Sequence, residues 1–335
     1  MEEKLNQVNE LIDNTTNIPI EIKSIVKAIC RGYIRKSKGL IPLEGIKNVC
    51  NTVFVSKSEN DESFRGKDKV FATTETNYDN ECNVIHKLEY INDCDYIKLI
   101  SILCHELGHV ITESKPCERN NKGIYPIAKR TTTIYFNCYY ENNSLSAQNS
   151  YGYRMADGFL ESICSKIFMQ PEFRYELLNI GYDLKDYVYK DERIFTSRSY
   201  DEYKACFELF DYIMNGELFK FSCMTFDSNQ ELLSFINNYK LQYIFNYLDK
   251  SNNAFSKMKK YEGKEKDDKF DELFKEYLNA KEVSINIADV LVEFYKKDIN
   301  DLKYQELLEV YKNTLKKQKL LPIAPQDINT GSCKK

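Results

Sequence analysis

Between Ile97 and Ile111 the chain reads IKLISILCHELGHVI, and this stretch limits the possible folds more than any other. Ile97, Leu99, Ile100, Ile102, Leu103, Leu107, Val110 and Ile111 cover most of the circumference of a helix. A helix that is apolar all round must be buried among other elements. Asn92 or Asp93 can cap its start, and the pattern runs to about Glu113. Into this apolar cylinder the sequence sets His105, Glu106 and His109, two of only three histidines in 335 residues. Two imidazoles and a carboxylate in a buried helix are costly unless they bind something.

Residues four apart share a helix face, so His105 and His109 can offer two ring nitrogens to one ion. Tetrahedral zinc accepts such a pair and leaves room for a third protein ligand and a water. Glu106, beside the first histidine, can reach that water and take its proton during attack on a carbonyl. This is the chemistry of the H-E-x-x-H pattern, and its chance occurrence at this composition is about 0.002. The bland alternative is a core helix whose histidines bond to backbone.

The rest of the chain supplies a context. Residues 1 to about 37 have helical spacing, with Ile20, Ile22, Ile25, Val26 and Ile29 on it. Residues 45–91 change character: NTVFVS, KVFATTET and NVIHKLEYI read as strands separated by polar loops. After the histidine helix, Pro116 and Gly123 mark a loop, RTTTIYFNCYY reads as a strand and ENNSLSAQNS as a loop. RMADGFLESICSKIFM returns to helical spacing and stops before Pro171. From Glu172 to about Lys319 the pattern is almost wholly helical, with Gly216 as one stop signal.

The HELGH segment on a buried helix resembles the zincin metallopeptidases. The order of strands, helix, β segment and second helix, over about residues 50–170, is similar to their catalytic core. The resemblance implies an α+β fold in which a zincin-like core at 45–171 follows an N-terminal helical segment at 1–44. A helical C-terminal region at 172–321 and a disordered tail at 322–335 complete the expected organisation.

The resemblance also bears on the third ligand. Metzincins place another histidine shortly after the motif, and no histidine follows His109. His86 lies upstream in a strand pattern and reads as a structural or cleft-lining residue. Gluzincins, such as thermolysin-like enzymes and the anthrax lethal factor family, use a glutamate from a second helix with another acid four residues later. ADGFLES supplies Asp157 and Glu161 at that spacing. Position in the pattern favours Asp157 as ligand, with Glu161 orienting a ligand histidine; chain length favours Glu161, because aspartate is one methylene shorter. Glu113 is a weaker candidate. For the group that stabilises the developing oxyanion, Tyr151 and Tyr153 are candidates and Arg154 a further one. Cys104 reads as a buried free thiol.

Composition narrows the functional class. Net charge is -4, which argues against a partner held by a large positive field, such as nucleic acid. No apolar run approaches the length of a membrane span. The acidic, amphipathic start lacks the pattern of a secretion signal. Eleven cysteines without a C-x-x-C pair suit reduced thiols in a cytoplasm. The Lys, Asn, Ile and Tyr content suggests an AT-rich bacterial genome. The leading expectation is therefore a metallopeptidase with one Zn2+ per chain, acting on a peptide or protein through a water that Glu106 activates. Alternatives are a regulatory metalloprotease resembling the ImmA/IrrE family and a catalytically silent zincin-like interaction module.

Overall fold

The computed structural model describes residues 1–58, 72–78, 84–92, 94–114, 118–141, 144–184, 198–259 and 268–320. The expected tail and most of the polar loop after NTVFVS lie outside the described residues. Among the described residues the architecture is α+β, with two three-stranded sheets and a predominance of helix.

The chain opens with α1 (Glu2–Asn14), which buries Val8 and Ile12, and α2 (Ile20–Lys36), which buries Ile22, Ile25, Val26 and Ile29. Glu21 at the start of α2 and Arg35 and Lys36 at its end complement the helix dipole. A short helix follows, α3 (Leu43–Cys50), where the sequence suggested strand and loop. Eight residues are too few for periodicity to announce a helix, yet Ile46, Val49 and Cys50 share its buried side.

The first sheet consists of β1 (Val53–Lys57), β2 (Ala72–Tyr78) and β3 (Val84–Ile91), in the order β1-β3-β2. β1 runs parallel to β3 and β2 antiparallel to it. The apolar helix, α4 (Tyr96–Ile111), packs on β2 and β3 on one side and among α2 and α3 on others. Its N-cap is Asp95, whose carboxylate accepts from the Ile97 amide at 2.9 Å, and not the Asn92 or Asp93 suggested by the sequence. Burial all round follows from the continuous apolar surface: Ile100, Leu103, Leu107 and Val110 are fully buried.

The second sheet is an antiparallel meander of β4 (Tyr125–Arg130), β5 (Thr133–Glu141) and β6 (Ser144–Tyr151). β6 is the segment read as a loop. Its polar residues lack β propensity, but pairing with β5 imposes the strand: Phe136 stands opposite Asn149 and Cys138 opposite Ala147.

A single residue, Gly152, separates β6 from α5 (Tyr153–Phe168). Its φ of +84° is open to glycine and strained for other residues. It is held from both sides, its amide donating to Asp249 at 2.7 Å and its carbonyl accepting from Thr132 at 3.0 Å. The remaining helices are α6 (Pro171–Asn179), α7 (Arg198–Ile213), α8 (Glu217–Cys223), α9 (Asn229–Asn238), α10 (Leu241–Lys259), α11 (Asp268–Phe294) and α12 (Leu302–Leu320). Lys240, at φ +55°, separates α9 from α10.

These helices do not stand apart from the rest. One apolar core runs from Val8 on α1 to Tyr311 on α12. Phe159 of α5 meets Phe207 of α7 at 5.5 Å and Phe219 of α8 at 5.7 Å between ring centroids. Buried Lys129 on β4 reaches the carbonyl of Met224, just past α8, at 3.0 Å, a favourable place for a cation at a helix end. Helix α5 is thus clamped between α4 and the C-terminal helices.

Candidate metal centre

α4 and α5 lie side by side, and each carries two chemically active residues at a spacing of four. On α4, His105 and His109 stand on one face with ring centroids 5.2 Å apart. From α5, Asp157 and Glu161 approach that face. His109 Nε2 is 3.8 Å from Asp157 Oδ1, and His105 Nδ1 is 3.1 Å from Glu161 Oε1. One ligand atom from each of His105, His109 and Asp157 can be chosen so that all three lie within 4.8 Å of one another.

This donor set fits a small divalent cation of borderline softness. Ligand atoms around tetrahedral zinc lie about 3.3 Å apart, as bond lengths near 2.05 Å require. The present separations need only a small inward closure. Imidazole and carboxylate are ordinary zinc donors, and three of them leave a position open. Glu161 occupies the Nδ1 side of His105, which leaves Nε2 of that ring for an ion. A carboxylate behind a ligand histidine fixes the ring and raises its basicity.

Electrostatics separate the two histidines and Asp157. Burial pushes the His105 imidazole toward its neutral form, but the carboxylates of Glu161 and Glu106 outweigh this and hold it up at about 10. Burial, and then the neighbouring charges of His105 and Arg130, push His109 well below its ordinary range. Burial raises the Asp157 carboxyl to about 6, against the opposing pull of His105 and Arg154.

Glu106 points to the first sheet. The Thr74 hydroxyl on β2 donates to its Oε2 at 2.7 Å. Thr74 stands opposite Leu88 and Thr76 opposite His86, so these residues share the sheet face that packs on α4. Arg130 donates to the Thr76 hydroxyl at 2.5 Å, and that hydroxyl lies 3.1 Å from His86 Nδ1. His86 is 1% exposed, and burial together with Arg130 lowers its pKa to about 3, so it is neutral. It belongs to this supporting network and not to the group of donor atoms above.

The other sequence candidates occupy distinct places. Glu113 is turned to Arg130, with the guanidinium 2.6 Å from its carboxylate. Tyr151 packs its ring edge-on against Phe136 at 6.0 Å. Tyr153 is 62% exposed and carries the Arg154 guanidinium over its ring at 5.3 Å. Arg154 also reaches Asp157, with Nη1 3.8 Å from Oδ2. Cys104 is a fully buried free thiol. Sequence reading missed Tyr203 on α7 and Asp249 on α10. Both sense the charge of Arg154, and Tyr203 also senses Asp157. No local spacing connects them to the HELGH segment.

No family model, curated protein or solved structure matches the chain.

Proposed function

We propose that the chain is a zinc-dependent peptidase of zincin type that cleaves a peptide or protein substrate, with His105, His109 and Asp157 as the zinc ligands. The observation that carries this reading is the convergence of those three donors within 4.8 Å, with Glu106 next to the first of them. When bound, zinc would act as a Lewis acid that lowers the pKa of water and polarises the scissile carbonyl.

The chain's own residues do the remainder. Glu106 is the proton acceptor. Thr74 fixes one of its carboxylate oxygens, which aims the other at the attacking water and later returns the proton to the leaving amine. Glu161 holds the His105 ring from behind. The buried surroundings of α4 exclude bulk water and strengthen each of these interactions.

The test is metal analysis of the purified protein, followed by cleavage of an unfolded protein such as reduced casein, with Glu106→Gln as control. Near-stoichiometric zinc in both proteins is expected, with turnover lost by two to four orders of magnitude, about the worth of a positioned acid–base group, in the variant. A wild type that takes up no zinc, or a Glu106→Gln variant that cleaves as well as wild type, would overturn the reading.

A further inference from the structure

We propose that Arg154 is a positioning residue for Asp157, held in place by α7 and α10, so that the helical C-terminal half sets the geometry of the third ligand. The inference rests on the metal-centre reading above.

Asp157 divides its two oxygens. Oδ1 faces His109 and Oδ2 faces the guanidinium of Arg154, each at 3.8 Å. The terminal torsion of aspartate is broad, so its own rotamer does not fix the carboxylate plane. A partner on Oδ2 does, and it presents Oδ1 alone to the histidine side. The side chain of Asp157 is 13% exposed, so bulk water cannot readily take over that task.

Arginine is itself flexible, and a clamp must be clamped. The Arg154 guanidinium lies over the rings of Tyr153 and Tyr203, at 5.3 and 5.6 Å from their centroids. Tyr203 is 5% exposed, and its backbone is pressed against α5: a side-chain carbon at Gly158 would collide with the Tyr203 carbonyl. On the other side, Asp249 of α10 holds the amide of Gly152, two residues before Arg154, and its charge also acts on Arg154. Arg154, with a side chain 36% exposed, is thus held by the buried Tyr203 ring and the exposed Tyr153 ring in addition to its i,i+3 ion pair.

The sign of one measurement separates positioning from simple charge. A guanidinium near a metal repels the cation, so if Arg154 were only a neighbouring charge, removing it would tighten binding. If it positions Asp157, removing it loosens binding.

The experiment uses the full chain as wild type, Arg154→Met, Arg154→Lys and Asp157→Ala. Zinc affinity is read by competition with a chromophoric chelator, the ligand field by the visible spectrum of the Co2+ form, and folding by circular dichroism. The expected result for Arg154→Met is a tenfold or greater loss of zinc affinity with an altered cobalt spectrum and an unchanged fold, in line with losses seen for groups behind metal ligands. Arg154→Lys should recover part of it. Arg154→Gln replaces Arg154→Met if the latter folds poorly. Zinc binding equal to or tighter than wild type in the uncharged variant overturns the proposal. A wild type that binds neither zinc nor cobalt overturns the metal-centre reading itself, and Asp157→Ala binding like wild type overturns Asp157 as ligand.

Discussion

Nδ1 of His105 lies 3.1 Å from Glu161, and one turn further on His109 faces Asp157 at 3.8 Å. Two acids four apart on α5 thus serve two histidines four apart on α4, in matched register. The two acids should not be equivalent. Asp157→Ala removes a donor from the cluster and should abolish retention of zinc through gel filtration. Glu161→Ala leaves the cluster intact but frees the His105 ring, and should weaken zinc binding only about 10–100-fold. Glu161→Gln, which keeps an acceptor for Nδ1–H, should fall closer to wild type. The reverse ranking would make Glu161 the ligand.

Much of this register is legible in the sequence, because helices announce themselves by period. The apolar wrap of α4 predicts burial, and the spacing of Asp157 and Glu161 predicts a shared face. What escapes is set by contacts distant in the chain. β6 is a strand because β5 lies beside it, not because SLSAQNSY favours extension. α3 is too short for a periodic signal. Thr74 bonds Glu106 from a strand, and Tyr203 and Asp249 act on the Gly152–Arg154 turn from two helices, all from sequences that carry no mark of it. Helical period brings the histidines and the acids each onto one face, while the groups that orient them emerge only from packing.

Thr74 is the clearest of these aiming groups. Thr74→Val keeps the shape and the strand preference of the residue but deletes the hydroxyl that donates to Glu106 at 2.7 Å. Zinc content should be unchanged, since Thr74 is not among the donors. Turnover on unfolded casein should fall about 10–150-fold, the cost of about one lost hydrogen bond to a charged group. The loss should be smaller than for Glu106→Gln, and the double variant should be no worse than Glu106→Gln alone. Additive losses would mean that Thr74 acts elsewhere.

Asp249 gives a prediction about pH. Burial raises its carboxyl to about 6 from an ordinary 3.8, so the folded state binds the proton more tightly than the unfolded chain does. The sign follows from linkage: its stabilising contribution is present at low pH and is lost as pH rises through 6. Asp249→Asn retains an oxygen to accept from Gly152 and removes the buried charge. At pH 7.5 the variant should be more stable than wild type by about 1–2 kcal/mol in urea denaturation, after allowance for partial solvation. At pH 4 the difference should vanish. Asp249→Ala loses the acceptor as well, and should be less stable than Asp249→Asn at every pH. A stability gain of Asp249→Asn that persists unchanged at pH 4 would exclude the charge as its cause.

Gly108, within the HELGH segment, lies where α4 approaches α2 and α5 closely. A methyl group there would collide with the Tyr33 hydroxyl on α2 and with Cδ2 of Leu160 on α5. The hydroxyl cannot simply move away, because it donates to the Cys104 carbonyl at 2.9 Å and lies 3.3 Å from the Cys164 sulfur, all in the core. Gly108→Ala gains up to about 1 kcal/mol of helix propensity. Overpacking of about 1–3 kcal/mol works against it, and in a site this tight the overpacking wins. Leu160 directly precedes Glu161, so relief of the clash moves α5 away from α4 and draws Asp157 and Glu161 off the histidines. Gly108→Ala should therefore lower the urea midpoint and weaken zinc binding at least tenfold, although residue 108 is no ligand. Tyr33→Phe removes one of the two colliding atoms. In the double variant part of both losses should return, with a coupling of at least about 0.5 kcal/mol between the two sites. Strict additivity of the two substitutions would show that the Tyr33 hydroxyl does not set the spacing between the helices.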